Sequence, residues 1–333
     1  MVTLSAAEPS NASIATSLPS GMVAVFVGGT SGIGGHALRS FAEQARSPTI
    51  YPRRPVAGSR RPHHIRLHQA ESRRTVHVHP VRRQPFEQCC AGLRADSVTD
   101  QEYQSPWLTD RCATSETTEG LYKAYVLPVT SRILFSLCLL PALQRAAGLR
   151  RVVSVFAAGH EGPFDETDWA GYCSKHPIMA RGHTAAMITM AHNTLAGQES
   201  PGRELHPQLP GRRQDQLWQG CQGLHGCGAR GARAARAAAP QVPLHRGLYG
   251  ATSAAIPPAN GAAGAGVPLS DGMPVSVGAD GRPGSGSYNL DAMCERASDA
   301  VQKRLGEAKE SGAENRLWAH IMREIKEITD KDY

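Results

Sequence analysis

The stretch Met22–Ala45, MVAVFVGGTSGIGGHALRSFAEQA, constrains the fold more than any other part of the chain. It passes from an apolar run into a cluster of glycines, and then into apolar residues at helical spacing, Ala37, Leu38, Phe41 and Ala45. That order reads as strand, tight turn and helix. Gly28, Gly32 and Gly34 fit the spacing G-x-x-x-G-x-G. The first glycine allows the sharp turn, the second lets backbone approach a pyrophosphate, and the third permits close packing of helix on strand. Free amides at the helix N-terminus, at the positive end of its dipole, then face phosphate oxygens. Gly28, Thr30, Ser31, Gly32, Ile33 and Gly34 are therefore the candidate cofactor-binding residues.

A chain of 333 residues with 41% apolar and 20% charged side chains has room for one large α/β domain or two small ones. Its longest apolar run, Ile133–Leu143, contains a serine and a proline and falls well short of the ~20 residues a membrane helix needs. The N-terminus lacks the basic, apolar and small-residue sections of a secretory signal, so the expected location is cytoplasmic. Eight cysteines without a regular framework of spacings read as reduced thiols.

Charge is concentrated in two stretches. Pro52–Asp110 holds ten arginines and six acids, and Gly197–Gly247 holds seven arginines and three acids. Together they carry more than the whole net charge of +7, and neither contains a lysine. Both lose hydrophobic periodicity and fill with Arg, Pro, His, Gln and Gly. A pair of basic nucleic-acid arms is the simple reading. A different one follows from the genetic code, because permitted codons for these residues, read one base later, encode strand and helix patterns. Pro52–Pro62 becomes LVGRSQEAADH, Arg82–Cys90 becomes DVSLLSNVA, Tyr103–Trp107 becomes INLLG, and His206–Gln219 becomes IHNYPGAVKTNFGK. All four slip in one direction, so the two segments read as out of frame. No nucleic-acid partner is expected, and residues 52–110 and 197–247 are expected to be irregular, erasing the second, third, fourth and sixth strands.

Four in-frame segments, VFVGGTSGIG, Thr117–Ala146, Arg151–Gly162 and Ala185–Ala196, together resemble the short-chain dehydrogenase/reductase family, in an atypical fungal branch. The resemblance covers about half of the chain. It implies a Rossmann-type parallel sheet flanked by helices, left incomplete here by the two irregular segments. It also implies NAD(P) binding and hydride transfer between a carbonyl and an alcohol on a small molecule, in fungi often within secondary metabolism. A homodimer through the Thr130–Ala146 helix is a further family expectation. The recoded LVGRS puts an arginine where an adenosine 2′-phosphate sits, which favours NADP over NAD; Arg53 or Arg54 can take that place.

The catalytic pattern departs from the family. That pattern uses a Tyr for proton transfer, a Lys four residues later that lowers the Tyr pKa, and a Ser that orients the substrate oxygen. Direct alignment puts Ala180 at the Tyr position, Thr184 at the Lys position, Phe156 or Ala157 at the Ser position, and Pro128 near a helical Asn. None of these can replace the usual group. A substitute set is Tyr172 and Lys175, three residues apart, with Ser154 on the preceding strand. Gly171 and Pro177 around the pair suggest a surface loop instead, and His160 lies where a substrate contact or a plain loop histidine would. These vacancies leave a non-catalytic nucleotide-binding or decayed protein as the alternative.

No metal is expected, because the grouping of Cys221, His225 and Cys227 falls inside a suspected slipped segment. Asn11-Ala12-Ser13 matches a glycosylation acceptor, inert without a signal peptide. Residues 1–20 are expected to form a disordered tail, and 21–286 the Rossmann domain with a late strand near Val275–Val277. Residues 287–333 are expected to form two amphipathic helices broken near Ser311 and Gly312, with Leu317, Ile321 and Ile325 among the apolar positions.

Overall fold

The computed structural model describes residues 15–27, 32–53, 77–78, 97–101, 116, 120–146, 151–171, 177–198, 216–220, 277–279, 281–282, 286–290 and 296–330. Seven strands form one sheet: β1 Val23–Val27, β2 Thr49–Arg53, β3 His77–Val78, β4 Ser97–Gln101, β5 Arg151–Val155, β6 Gln216–Gly220 and β7 Ser287–Asn289. They lie side by side in the order β3-β2-β1-β4-β5-β6-β7, and all six pairings are parallel. The helices are α1 Gly32–Gln44, α2 Lys123–Val126, α3 Thr130–Arg145, α4 Pro177–Gln198, α5 Asp299–Glu310 and α6 Ala313–Thr329. Strands alternating with helices give the Rossmann-type α/β architecture implied by the sequence.

The VAVFV of β1 shows why this segment is a strand buried on both faces. Ala24 and Phe26 point one way and pack with Ala37, Leu38 and Phe41 of α1 and Ile50 of β2. Val25 and Val27 point the other way, onto Leu139 and Leu143 of α3 and Leu195 of α4. Side chains two apart share a face, so a continuous apolar run suits a strand covered by helices on both sides. A third layer lies outside α3 and α4. There α6 buries Leu317, Ile321 and Ile325 completely, in a cluster with Ile133 and Met187. Thr130 Oγ1 at the start of α3 donates to Glu324 Oε2 of α6 at 2.8 Å.

The elements expected from the in-frame segments form, and the expected erasure of four strands is corrected. β3 and β4 lie within the first arginine-rich stretch, β2 runs into it, and β6 lies within the second, all paired in the sheet. β4 stands at Ser97–Gln101, ahead of the recoded Tyr103–Trp107, and β6 begins at Gln216, near the end of the recoded His206–Gln219. The reason is that ladder pairing is made by backbone groups. The N–H and C=O groups of β1 and β5 require partners on their open sides whatever side chains those partners carry. Pairing of β2 to β3 stops at Ile50, two residues short of Pro52, which has no N–H to contribute.

Two boundaries also shift, and a third stays in place. Residues 15–20, expected within a disordered tail, pack on the domain: Leu18 is buried in the α1 cluster and its carbonyl accepts from Arg46 Nη2 at 3.0 Å. Among the described residues the last strand is Ser287–Asn289, so the sheet extends past residue 286, and Val275 and Ser276 of the expected late strand lie outside the described residues. α5 and α6 meet at Gly312, whose φ of +76° makes the break that the sequence pattern places there.

Candidate functional site

At the C-terminal ends of the strands the chain leaves β1 toward β2 on one side and reaches β4 on the other. In an open parallel sheet the usual ligand position lies outside the strand ends at such a change of direction. Four residues, Gly28–Ser31, connect the end of β1 at Val27 to the start of α1 at Gly32. Gly28, Thr30 and Ser31 lie outside the described residues; Gly32, Ile33 and Gly34 form the first turn of α1. That turn carries no acidic side chain, so nothing offsets the positive end of the helix dipole. Arg53 ends β2 in register with Val27, beside the mouth of the same turn, while Arg54 lies outside the described residues. A helix N-terminus at the end of β1, in this place in the sheet, has the arrangement that a nicotinamide dinucleotide uses.

The loop that follows β5 leaves the same edge of the parallel sheet. It is held to α4 by backbone contact and by one histidine. Gly162 N–H donates to the Gly182 carbonyl at 2.9 Å, and a Cβ at Gly182 would lie 2.8 Å from the Gly162 Cα. His183 is buried, its Nδ1 accepting from the Asp165 amide at 3.2 Å and its Nε2 lying 3.1 Å from the Trp169 carbonyl. These partners require a neutral ring with its proton on Nε2. His160, next to the end of the strand, is exposed on this loop.

Of the three catalytic candidates the structure describes Ser154. Ser154 is fully buried in β5, and its hydroxyl accepts from Arg132 Nη1 of α3 at 2.9 Å, so it faces the helix layer. Tyr172 and Lys175 lie outside the described residues, in the segment that joins the loop to Pro177 at the start of α4. Ala180 and Thr184, at the family's Tyr and Lys positions, are on α4; Ala180 is buried and Thr184 half-buried. Pro128 separates α2 from α3, and Phe156 and Ala157 are buried at the end of β5. Cys221, His225 and Cys227 lie outside the described residues, as does the Asn11 acceptor.

Sequence reasoning missed Glu161 and His192. Glu161 is 2% exposed, and Oε1 of its carboxyl accepts from Thr189 Oγ1 at 2.8 Å and Asn289 Nδ2 at 2.6 Å. Burial pushes its pKa above the ordinary carboxylate range despite these bonds. His192 is fully buried on α4, its Nδ1 donating to the Ile188 carbonyl at 2.8 Å, and burial pushes its pKa down to about 4. Each is a polar residue inside an apolar stretch, a signal that periodicity alone treats as an interruption. Among the described residues no helix is long and apolar enough to cross a membrane.

No family model matches the chain. It is 28% identical over 331 residues to oxidoreductase AN1596 of Emericella nidulans, covering 96% of this chain and 97% of that protein. It is 27% identical over 314 residues to oxidoreductase andH of Emericella variicolor, with 92% of each chain covered. Among solved structures it is similar to a short-chain dehydrogenase of Salmonella enterica, at 15% identity and a TM-score of 0.40, over 70% of this chain and 92% of that one. Both fungal relatives carry the name oxidoreductase, the general class that the sequence resemblance implies.

Proposed function

We propose that this chain, similar along nearly its whole length to fungal oxidoreductases, is itself an oxidoreductase of the short-chain dehydrogenase/reductase type. Its cofactor is NADP and its substrate a small carbonyl compound or alcohol. The observation that carries the reading is the β1–α1 turn at the sheet's change of direction, with Arg53 at the end of β2 beside it. Gly28, Thr30, Ser31, Gly32, Ile33 and Gly34 hold the pyrophosphate through backbone amides, and Arg53 meets the 2′-phosphate. When bound, the nicotinamide supplies or accepts hydride. Tyr172 donates or accepts the proton on the substrate oxygen, and the ammonium of Lys175 lowers the Tyr pKa.

Ala180 and Thr184 on α4 favour a second reading, a nucleotide-binding protein without turnover. The test is titration of the purified protein with NADPH and NADH, followed by turnover assays on a panel of ketones, aldehydes and alcohols. Binding with turnover that Tyr172→Phe abolishes supports the oxidoreductase. Binding without turnover selects the second reading, and absence of binding removes both. Arg53→Ala is expected to weaken NADPH on the order of tenfold, the effect of losing about one charge-assisted contact, and to leave NADH unchanged. Equal weakening of both would remove Arg53 from the 2′-phosphate site.

A further inference from the structure

Four elements meet at one buried carboxyl. Glu161, in the loop after β5, takes hydrogen bonds on Oε1 from Thr189 of α4 and Asn289 of β7. From α5, Arg304 Nη1 donates to the Glu161 backbone carbonyl rather than to its carboxyl. The side chain is 2% exposed, and Oε2 and Asn289 Oδ1 are buried without a hydrogen-bond partner among the described residues. A carboxylate buried with one oxygen unsatisfied and no ion pair to it among the described residues is less favourable than the neutral acid, whose O–H has a nearby acceptor in the unpartnered Asn289 Oδ1.

We propose that Glu161 is a positioning residue operated by its own proton. Protonated, it pins the 157–171 loop, which carries His160, to α4 and β7 through its carboxyl. Ionised, it cannot stay buried on these partners, and the loop is released.

The neighbouring groups do not supply this switch. On α4, His192 is held neutral by burial, and Asn193 donates to Glu314 Oε1 of α6 at 3.2 Å. On β7, Ser287 Oγ donates to Asn193 Oδ1 at 2.7 Å, a tie independent of Glu161. His183 holds the far part of the same loop through Asp165 and Trp169. On the loop itself, His160 is the adjacent titratable side chain and is exposed to solvent.

The experiment is hydrogen exchange with mass spectrometry on the full-length chain, following peptides of the 157–171 loop from about pH 5.5 to about pH 9, a span that reaches the values known for buried glutamates. Rates are corrected for the intrinsic pH dependence of exchange. In the wild type, protection of the loop is expected to fall on the order of tenfold through one titration above the ordinary carboxylate range, while α1 and β1 stay protected. Glu161→Gln keeps the shape without the proton and is expected to hold protection constant. Thr189→Val removes one donor to the carboxylate and is expected to move the midpoint upward, which tests the idea even where Glu161→Gln folds poorly. Flat protection in the wild type, or the same fall in Glu161→Gln, overturns the proposal.

Discussion

At position 182 two local rules pull in opposite directions. Alanine stabilises a helix interior by roughly 1 kcal/mol relative to glycine. Gly182, however, packs its Cα against Gly162, and an added Cβ would come within 2.8 Å of backbone that also carries the Gly162–Gly182 hydrogen bond. Overpacking of this kind costs about 1–3 kcal/mol, so Gly182→Ala is expected to destabilise the chain in urea unfolding. Gly306, in the middle of α5, meets nothing within 4 Å of its virtual Cβ. Gly306→Ala is expected to stabilise by about the propensity difference, and equal effects at the two sites would refute the packing argument. His192 gives a pH prediction. Its folded pKa of about 4 lies below the ordinary 6.5, so between those values the unfolded chain binds more protons. The neutral ring therefore supports the fold fully above pH 6.5, and that support declines as pH falls toward 4, by on the order of 3 kcal/mol in total. Unfolding midpoints measured across this window are expected to fall less steeply in His192→Gln.

Among the elements, α6 shows how far a pattern in sequence specifies packing. Its stripe of Leu317, Ile321 and Ile325 recurs at spacings of four, and all three are at 0% exposure against α3 and α4. Leu317→Ala or Ile321→Ala is expected to cost about 2–5 kcal/mol. Ile328, three residues further along and 37% exposed, is expected to tolerate alanine within ~0.5 kcal/mol. Chemical denaturation of the three variants checks the contrast, and a similar loss at all three would show that helix propensity rather than burial dominates. The polar bond from Thr130 to Glu324 and the stacking of Trp169 on His320, at 6.4 Å between ring centroids, fix where α6 lies. Neither partner is visible from the α6 sequence, because both come from distant parts of the chain.

For the whole molecule, the covering of α3 and α4 by α6 bears on association. Among the described residues, the exposed large apolar side chains are Met179 and Ile328, scattered rather than gathered into a patch. The family expectation of a homodimer through the Thr130–Ala146 helix meets a face on which α6 already packs. We therefore expect a monomer by light scattering, and a stable dimer would place the interface on another surface. Composition of the sheet gives a second prediction at this scale. Strands buried in a parallel sheet are usually near-continuous apolar runs, yet β4 reads SVTDQ and β6 reads QLWQG. Reading one base later restores apolar patterns in both stretches, so transcript sequencing across the codons for residues 51–112 and 196–248 is expected to return LVGRS and NYPGAVKTNF. Reads that match the chain as written would leave β4 and β6 as polar strands held by their neighbours.

The sequence by itself determined the parts whose information is local. The run of apolar residues into glycines located β1, the turn and α1, because a turn and a helix start are decided by a few adjacent residues. The 3.6-residue period located α5 and α6, with Gly312 at the break between them, and the family resemblance located α3 and α4. Tertiary structure decided the rest. It filled the strand positions inside both arginine-rich stretches, because backbone pairing is imposed by neighbouring strands and leaves no side-chain period to read. It turned Ser154 onto Arg132, and it brought Glu161, Thr189 and Asn289 to one point from segments up to 128 residues apart. Contacts over such separations exist only once the sheet has set its strand order, which is why no window of sequence could show them.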